Sequence, residues 1–146
     1  MGSPAAMGCY QWSSKRKARR RNRVYSILNR LGRERGRRTH ERFEELAQFL
    51  KDHNLISRHK RAPWSVDRKR KIDHFVWKNN SQLCKIQLKS SEKMLEKFLE
   101  NYNGHENIIG FAFNYAKPLE VLAVKFLRLI KEPTPQWLLE AAANYC

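Results

Sequence analysis

Asp73, Gln87 and Lys89 are the residues of this chain whose types and spacing fit metal-assisted chemistry. Side chains two apart on a strand share one face, so Gln87 and Lys89 project together with Lys85, while Ile86 and Leu88 point the other way. Asp73 stands on the preceding strand-like run, and a tight turn at Asn79-Asn80 would bring it across from the far end of the second run, where it can converge with Lys89. An acid and an amide carbonyl are oxygen ligands of the kind magnesium takes. A lysine beside such an ion can orient or activate water and offset charge on a scissile phosphate. A solvated strand face carrying the same three groups is the competing reading.

The elements that must position these groups follow from apolar spacing. Lys71–Lys78 and Ser81–Lys89 read as strands flanking Asn79-Asn80, two residues that tolerate the positive φ of a hairpin turn. After Ser90-Ser91 a helix begins at Glu92, with Met94, Leu95, Phe98, Leu99 and Tyr102 as its apolar stripe and Gly104 as a terminator. Asn107–Asn114 reads as a strand, and its run Ile108–Phe113 is apolar on both faces, which places it inside a sheet. Upstream, Thr39 can cap a helix carrying Phe43, Leu46, Ala47 and Leu50 and ending near Asn54. A short strand at Leu55–Ser57 and a loop through Arg70 follow. Leu119–Ile130 fits a strand leading into a helix, or one helix throughout, and the first is preferred. Pro133 and Pro135 then break the pattern before a terminal helix over Gln136–Asn144. The expected fold class is α/β, a central mixed sheet flanked by helices, with no internal repeat.

With these elements in order, the chain resembles the PD-(D/E)XK nuclease superfamily. The resemblance is carried by Ile72-Asp73 followed by apolar residues, the turn, the run Cys84-Lys85-Ile86-Gln87-Leu88-Lys89-Ser90-Ser91, the helix from Glu92 and the strand from Ile108, and it covers about Arg38–Asn114. It implies a restriction-endonuclease-like core and a metal-dependent DNA endonuclease that hydrolyses phosphodiester bonds with Mg²⁺ or Mn²⁺. Asp73 matches the family's metal-binding aspartate, Gln87 falls where a second acid usually stands, and Lys89 matches the family's lysine. Glutamine at that place is a known variation that removes one negative charge and so weakens metal binding. The family often supplies a further carboxylate from its first core helix, where Phe43-Glu44 fits best and Glu41 is the alternative. Ile72 stands where the family often has proline.

Charge points to the partner. Among 146 residues, thirty Lys and Arg oppose fourteen Asp and Glu, a formal charge of +16 that asks for a polyanion. From Lys15 to Arg38 there are twelve basic residues and one acid, Glu34, with Val24, Tyr25, Ile27, Leu28 and Leu31 at helical spacing. This reads as a basic helical arm over residues 9–38, frayed at its start, ahead of an α/β domain over residues 39–146. The opening MGSPAAMG, residues 1–8, reads as a vector-derived scar. Lys15, Arg16, Lys17, Arg19, Arg20, Arg21, Arg23, Arg30, Arg33, Arg37 and Arg38 are the candidate phosphate contacts, and Trp64, in a basic loop, is a candidate for base stacking.

Other classes fit poorly. No apolar stretch reaches the roughly 20 residues of a membrane span, and no secretory signal opens the chain, so an intracellular, cytoplasmic protein is expected, nucleoid-associated in a bacterium. Cys9, Cys84 and Cys146 suit neither a disulfide framework nor a zinc site. His40, His53, His59, His74 and His105 lack ligand spacing, His74 being read as packed or solvent-facing, and no Walker loop or zinc-finger pattern is present. DNA is preferred over RNA as the partner on the family's account, and a homodimer is compatible with the chain. Two rivals stand beside the nuclease: a non-catalytic nucleic-acid-binding module of the same fold, and an RNA-binding accessory protein.

Overall fold

The computed structural model of the protein describes residues 4–63, 65–66, 70–102, 104 and 106–145, with side chains from Arg23 onward. The chain divides into two units, Met1–Arg37 and Arg38–Cys146. The basic run and the segment beyond it form one helix, α1 (Pro4–Asp52), in place of the two helices expected on either side of Thr39. Helical backbone thus begins well before Lys15 and takes in Pro4–Gly8 of the presumed scar. No proline interrupts the run at Thr39, and that threonine is buried instead of serving as a cap.

The end of α1 explains a second departure. Asn54 adopts a left-handed φ of 59°, and Leu55 N–H donates to Leu50 O at 2.8 Å, the closing bond of a Schellman-type terminus. Leu55 packs against the core and Ile56 is buried in it, so the residues expected to form a strand finish the helix instead. The first strand lies just beyond, β1 (Arg58–Arg61).

Beyond β1 come β2 (His74–Trp77), β3 (Leu83–Lys89), α2 (Glu92–Asn101), β4 (Ile108–Ala112), α3 (Leu119–Leu129) and α4 (Gln136–Ala143). The four strands form one mixed sheet in the order β1-β2-β3-β4. β1, β2 and β3 are antiparallel neighbours, β4 runs parallel to β3, and α2 makes the crossover between them. The α/β class with a mixed sheet is therefore as expected.

β4 is a sheet edge, not an interior strand. Its apolar character on both faces comes from cover above and below. Phe111 and Phe113 enter the core, and on the other face Gly110 lies so close to α2 that a Cβ there would meet Leu95 Cδ1 at 2.3 Å. The segment expected as strand then helix is helical throughout as α3, because Leu122, Ala123, Phe126 and Leu127 fall on one helical face and bury together.

Ser91 caps α2 by accepting Met94 N–H at 3.2 Å. In the hairpin, Lys78 N–H donates to Gln82 O at 2.9 Å around a three-residue loop, and the positive φ falls on Ser81, at 70°, not on Asn79-Asn80. Both asparagines bond instead: Asn79 Nδ2 donates to Asn54 O at 2.8 Å, and Asn80 Oδ1 accepts Gln82 N–H at 3.0 Å. A loop of this length closes through a left-handed third residue, a conformation in which a Cβ is costly. Replacing exposed Ser81 with glycine is expected to raise unfolding stability by about 0.5–1 kcal/mol, measured by urea denaturation. An unchanged or lower midpoint would show that Ser81 carries no such strain.

Candidate functional site

Asp73 sits at the entry to β2 and reaches β3 at both neighbours of Gln87. Its N–H donates to Ile86 O at 2.8 Å, and its Oδ2 accepts Leu88 N–H at 2.7 Å. The ladder already pairs His74 with Ile86, so the Asp73 bond to that same residue marks a bulge, where two residues of one strand oppose one of the other. Bulges re-aim side chains, and here the result is a carboxylate used as a ladder acceptor. Asp73 and Gln87 are only 5% and 6% exposed. Within the same stretch the Gln87 Oε1 atom is buried and has no hydrogen-bond partner among the described residues.

Alternation along β3 buries Cys84, Ile86 and Leu88 in the core. Lys85, Gln87 and Lys89 take the other face. Lys89 Nζ lies 5.0 Å from the Phe98 ring centroid and lines a cleft of about 680 Å³ together with Arg70, Lys71, Lys97 and Tyr102. Glu106 also lines this cleft. Arg70 Nε donates to both of its carboxylate oxygens at 2.9 Å, and Lys85 Nζ lies 3.4 Å away. The hydrogen bond from Arg70, reinforced by Lys85, holds the Glu106 carboxyl down at about 2, so it stays charged and neutralised by its cations.

Glu44 of α1 lines a cavity with Glu41, Glu45, Asp52 and, from β1, His59. His59 is pushed below the ordinary imidazole value chiefly by burial, then by Lys51, with Glu44 and Asp52 opposing. Both acids offered from the first core helix, Glu44 and Glu41, share that cavity, and of the four groups Glu44, Asp73, Gln87 and Lys89 the cleft at α2 is lined by Lys89. Among the described residues no three His, Cys, Asp or Glu side chains gather as a metal-holding group.

His74 is packed, the first of its two expected settings. Its ring lies 4.6 Å from Phe43, and its Nε2 lies 3.2 Å from His40 Nδ1. Burial, with His40, Arg61 and His59 adding, pushes its pKa down to about 3, so the ring is neutral at physiological pH. Cys84 is a buried thiol whose pKa burial raises, as suits an inert core cysteine.

On α1, Arg23, Arg30, Arg33, Arg37 and Arg38 are exposed. The side chains of Lys15, Arg16, Lys17, Arg19, Arg20 and Arg21 lie outside the described residues, as do Trp64 and His105. Arg30, Arg33 and Arg37 line a shallow concavity with Leu31 and Glu34, and Arg37 lies 3.9 Å from Glu34. Among the described residues no helix is long and apolar enough to cross a membrane.

The residues missed from the sequence are Arg70, Lys71, Lys97, Phe98 and Tyr102. The two aromatics read as members of the α2 apolar stripe, and periodicity cannot tell a ring that ends in the core from one that ends in a cleft. The one available signal was that Lys97 and Phe98 adjoin on a helix following the Lys89 strand. No protein-family model matches this chain, and no curated protein or solved structure does so either.

The clasp on Leu88 gives Asp73 a structural duty that can be measured. Asp73→Ala leaves the buried Leu88 N–H without its acceptor and is expected to cost about 1–3 kcal/mol, whereas Asp73→Asn keeps an oxygen there and should cost distinctly less. Equal losses for the two variants, in urea denaturation, would show that the Leu88 bond is not what Asp73 contributes.

Proposed function

We propose that the protein is a metal-dependent nucleic-acid endonuclease of the PD-(D/E)XK type on a restriction-endonuclease-like core, with DNA as its substrate. The observation that carries this reading is the Asp73 clasp around Gln87, beside a buried Gln87 Oε1 that has no donor among the described residues. A buried acceptor without a donor calls for a completing partner. An acid and an amide oxygen carried at facing positions of two paired strands are a donor pair suited to Mg²⁺ or Mn²⁺, so Asp73 and Gln87 are the residues that would hold the ion. When bound, it would stabilise charge on the scissile phosphate and lower the pKa of a coordinated water. Asp73 and Gln87 alone bring one formal negative charge and so a weak metal affinity, and Glu44 of the first core helix would supply the further carboxylate.

The chain's own groups supply the rest. Lys89, on the Gln87 face of β3, orients the attacking water and offsets charge on the phosphate. Arg70, Lys71 and Lys97 hold the flanking backbone in the cleft that Lys89 lines. The exposed arginines of α1 add sequence-independent affinity through counterion release.

A second reading, a catalytically silent binding module of the same fold, is favoured by one specific observation. Asp73 and Gln87 are nearly closed to solvent, and the Asp73 carboxylate already serves Leu88.

Cleavage of duplex, branched and single-stranded DNA with Mg²⁺ or Mn²⁺, read beside metal calorimetry, separates the two. Lys89→Ala is expected to abolish cleavage while metal uptake and most nucleic-acid affinity persist. Gln87→Glu is expected to tighten metal binding, since it adds a charged ligand. Cleavage by Gln87→Glu but not by the wild-type chain would establish the silent module. An inert pair that takes up neither metal would overturn the endonuclease reading.

The contribution of α1 is tested apart from catalysis. Replacing Arg30, Arg33 and Arg37 together with glutamine is expected to weaken binding to any duplex sequence. It should also make the slope of log affinity against log salt shallower by up to about 0.9 per lost phosphate contact. An unchanged slope would remove these arginines from the interface.

A further inference from the structure

We propose that the cleft at α2 receives one unstacked nucleotide, so that the protein prefers single-stranded or locally unpaired nucleic acid over intact duplex. This rests on the nucleic-acid reading above but not on catalysis. Phe98 and Tyr102 stack on each other with centroids 5.4 Å apart and planes 29° from parallel, and both line the cleft while only partly buried. Two aligned rings with open area on a cleft wall are a platform for a third planar group.

Charge selects which planar group. Arg70, Lys71, Lys89 and Lys97 surround the rings, while the one carboxylate among the described lining residues, Glu106, is bound by Arg70 and Lys85. An aromatic wall ringed by cations fits a base that carries its phosphate, and an uncharged aromatic ligand would leave the cations unanswered. The cleft's volume of about 680 Å³ lies within the ordinary range of small-molecule sites. Lys89 lines this cleft, so the nucleotide would lie against that lysine.

Glycine at position 104 is part of the arrangement. A Cβ there would fall 2.1 Å from the Tyr102 hydroxyl and 2.3 Å from its ring, so any side chain would displace the platform. A base inside a duplex has both faces covered by its neighbours and could not use these rings, whereas an unstacked base can.

The test uses the full chain in EDTA, so that binding is read without cleavage, by fluorescence anisotropy with three ligands: oligothymidylate, an abasic strand of the same length, and a blunt duplex. Oligothymidylate is expected to bind roughly tenfold or more tighter than the abasic strand, the effect of stacking at least one base. Phe98→Leu is expected to weaken oligothymidylate binding roughly 5- to 100-fold while leaving affinity for the abasic strand and the duplex within about twofold and the salt slope unaltered, since no phosphate contact is lost. Tyr102→Phe, which keeps the ring, should bind as the wild type does.

Equal affinity of the unaltered chain for oligothymidylate and the abasic strand would overturn the inference, and that comparison needs no variant to fold. Equal loss of all three ligands in Phe98→Leu would overturn it as well. If the abasic strand and duplex bind as tightly as oligothymidylate, only this inference fails. If nothing binds, the nucleic-acid reading fails with it.

Discussion

Four phenylalanine rings meet behind the sheet, and the placement of every candidate group follows from that meeting. Phe43 of α1 lies 6.4 Å from Phe111, 6.0 Å from Phe113 and 5.5 Å from Phe126 of α3, and Phe111 lies 5.6 Å from Phe126. Fully burying a ring contributes about 1.5–3 kcal/mol, and each well-placed aromatic pair adds about 0.5–1.5 kcal/mol. Against a typical net stability of about 5–15 kcal/mol, such a nest decides which face of the sheet is inside. Once Cys84, Ile86 and Leu88 turn toward it, Lys85, Gln87 and Lys89 have no choice but the other face.

That second face is only partly open. Leu95 of α2 presses on Gly110, and Gln87 and Asp73 end up nearly closed to solvent. Burial at this depth gives a physical reason for glutamine at position 87. A carboxylate there, beside the acid at Asp73, would face both desolvation and like-charge repulsion, whereas an amide keeps an oxygen donor without that cost. The bulge at Asp73 makes a similar compromise, since the carboxylate completes the β3 backbone and stands beside Gln87 through one geometry.

Positive charge is spread over separate features. β1 carries Arg58, Lys60 and Arg61 along an exposed sheet edge, where charge also discourages edge-to-edge pairing with another chain. The arginines of α1 stand on an exposed helix with few carboxylates among them. In the cleft at α2 the cations surround aromatic rings, and Glu106 there is held charged and paired. On the proposed reading the helix and strand features would favour phosphate of any sequence, whereas the cleft would add recognition of a base.

Local rules in the sequence were enough for the α/β class, the existence of the hairpin, the helix from Glu92 and the Gln87–Lys89 face, because alternation and apolar spacing act between residues a few positions apart, whereas the turn closes on Ser81 and not on Asn79-Asn80. Phe43, Leu46, Ala47 and Leu50 were legible as core for the same reason. Only the tertiary structure decided that Thr39 is buried within a helix, that Leu55 and Ile56 close α1 ahead of β1, that α3 is helical throughout and that β4 is an edge. Each of these depends on which distant surface covers a segment. The same holds for Glu44, whose helical position is written in the sequence while the cavity it lines is set by β1. Phe98 and Tyr102 carry the plainest lesson: an apolar stripe reports that side chains will leave water on one face of a helix, and only packing against the sheet determines which of them stop at a cleft.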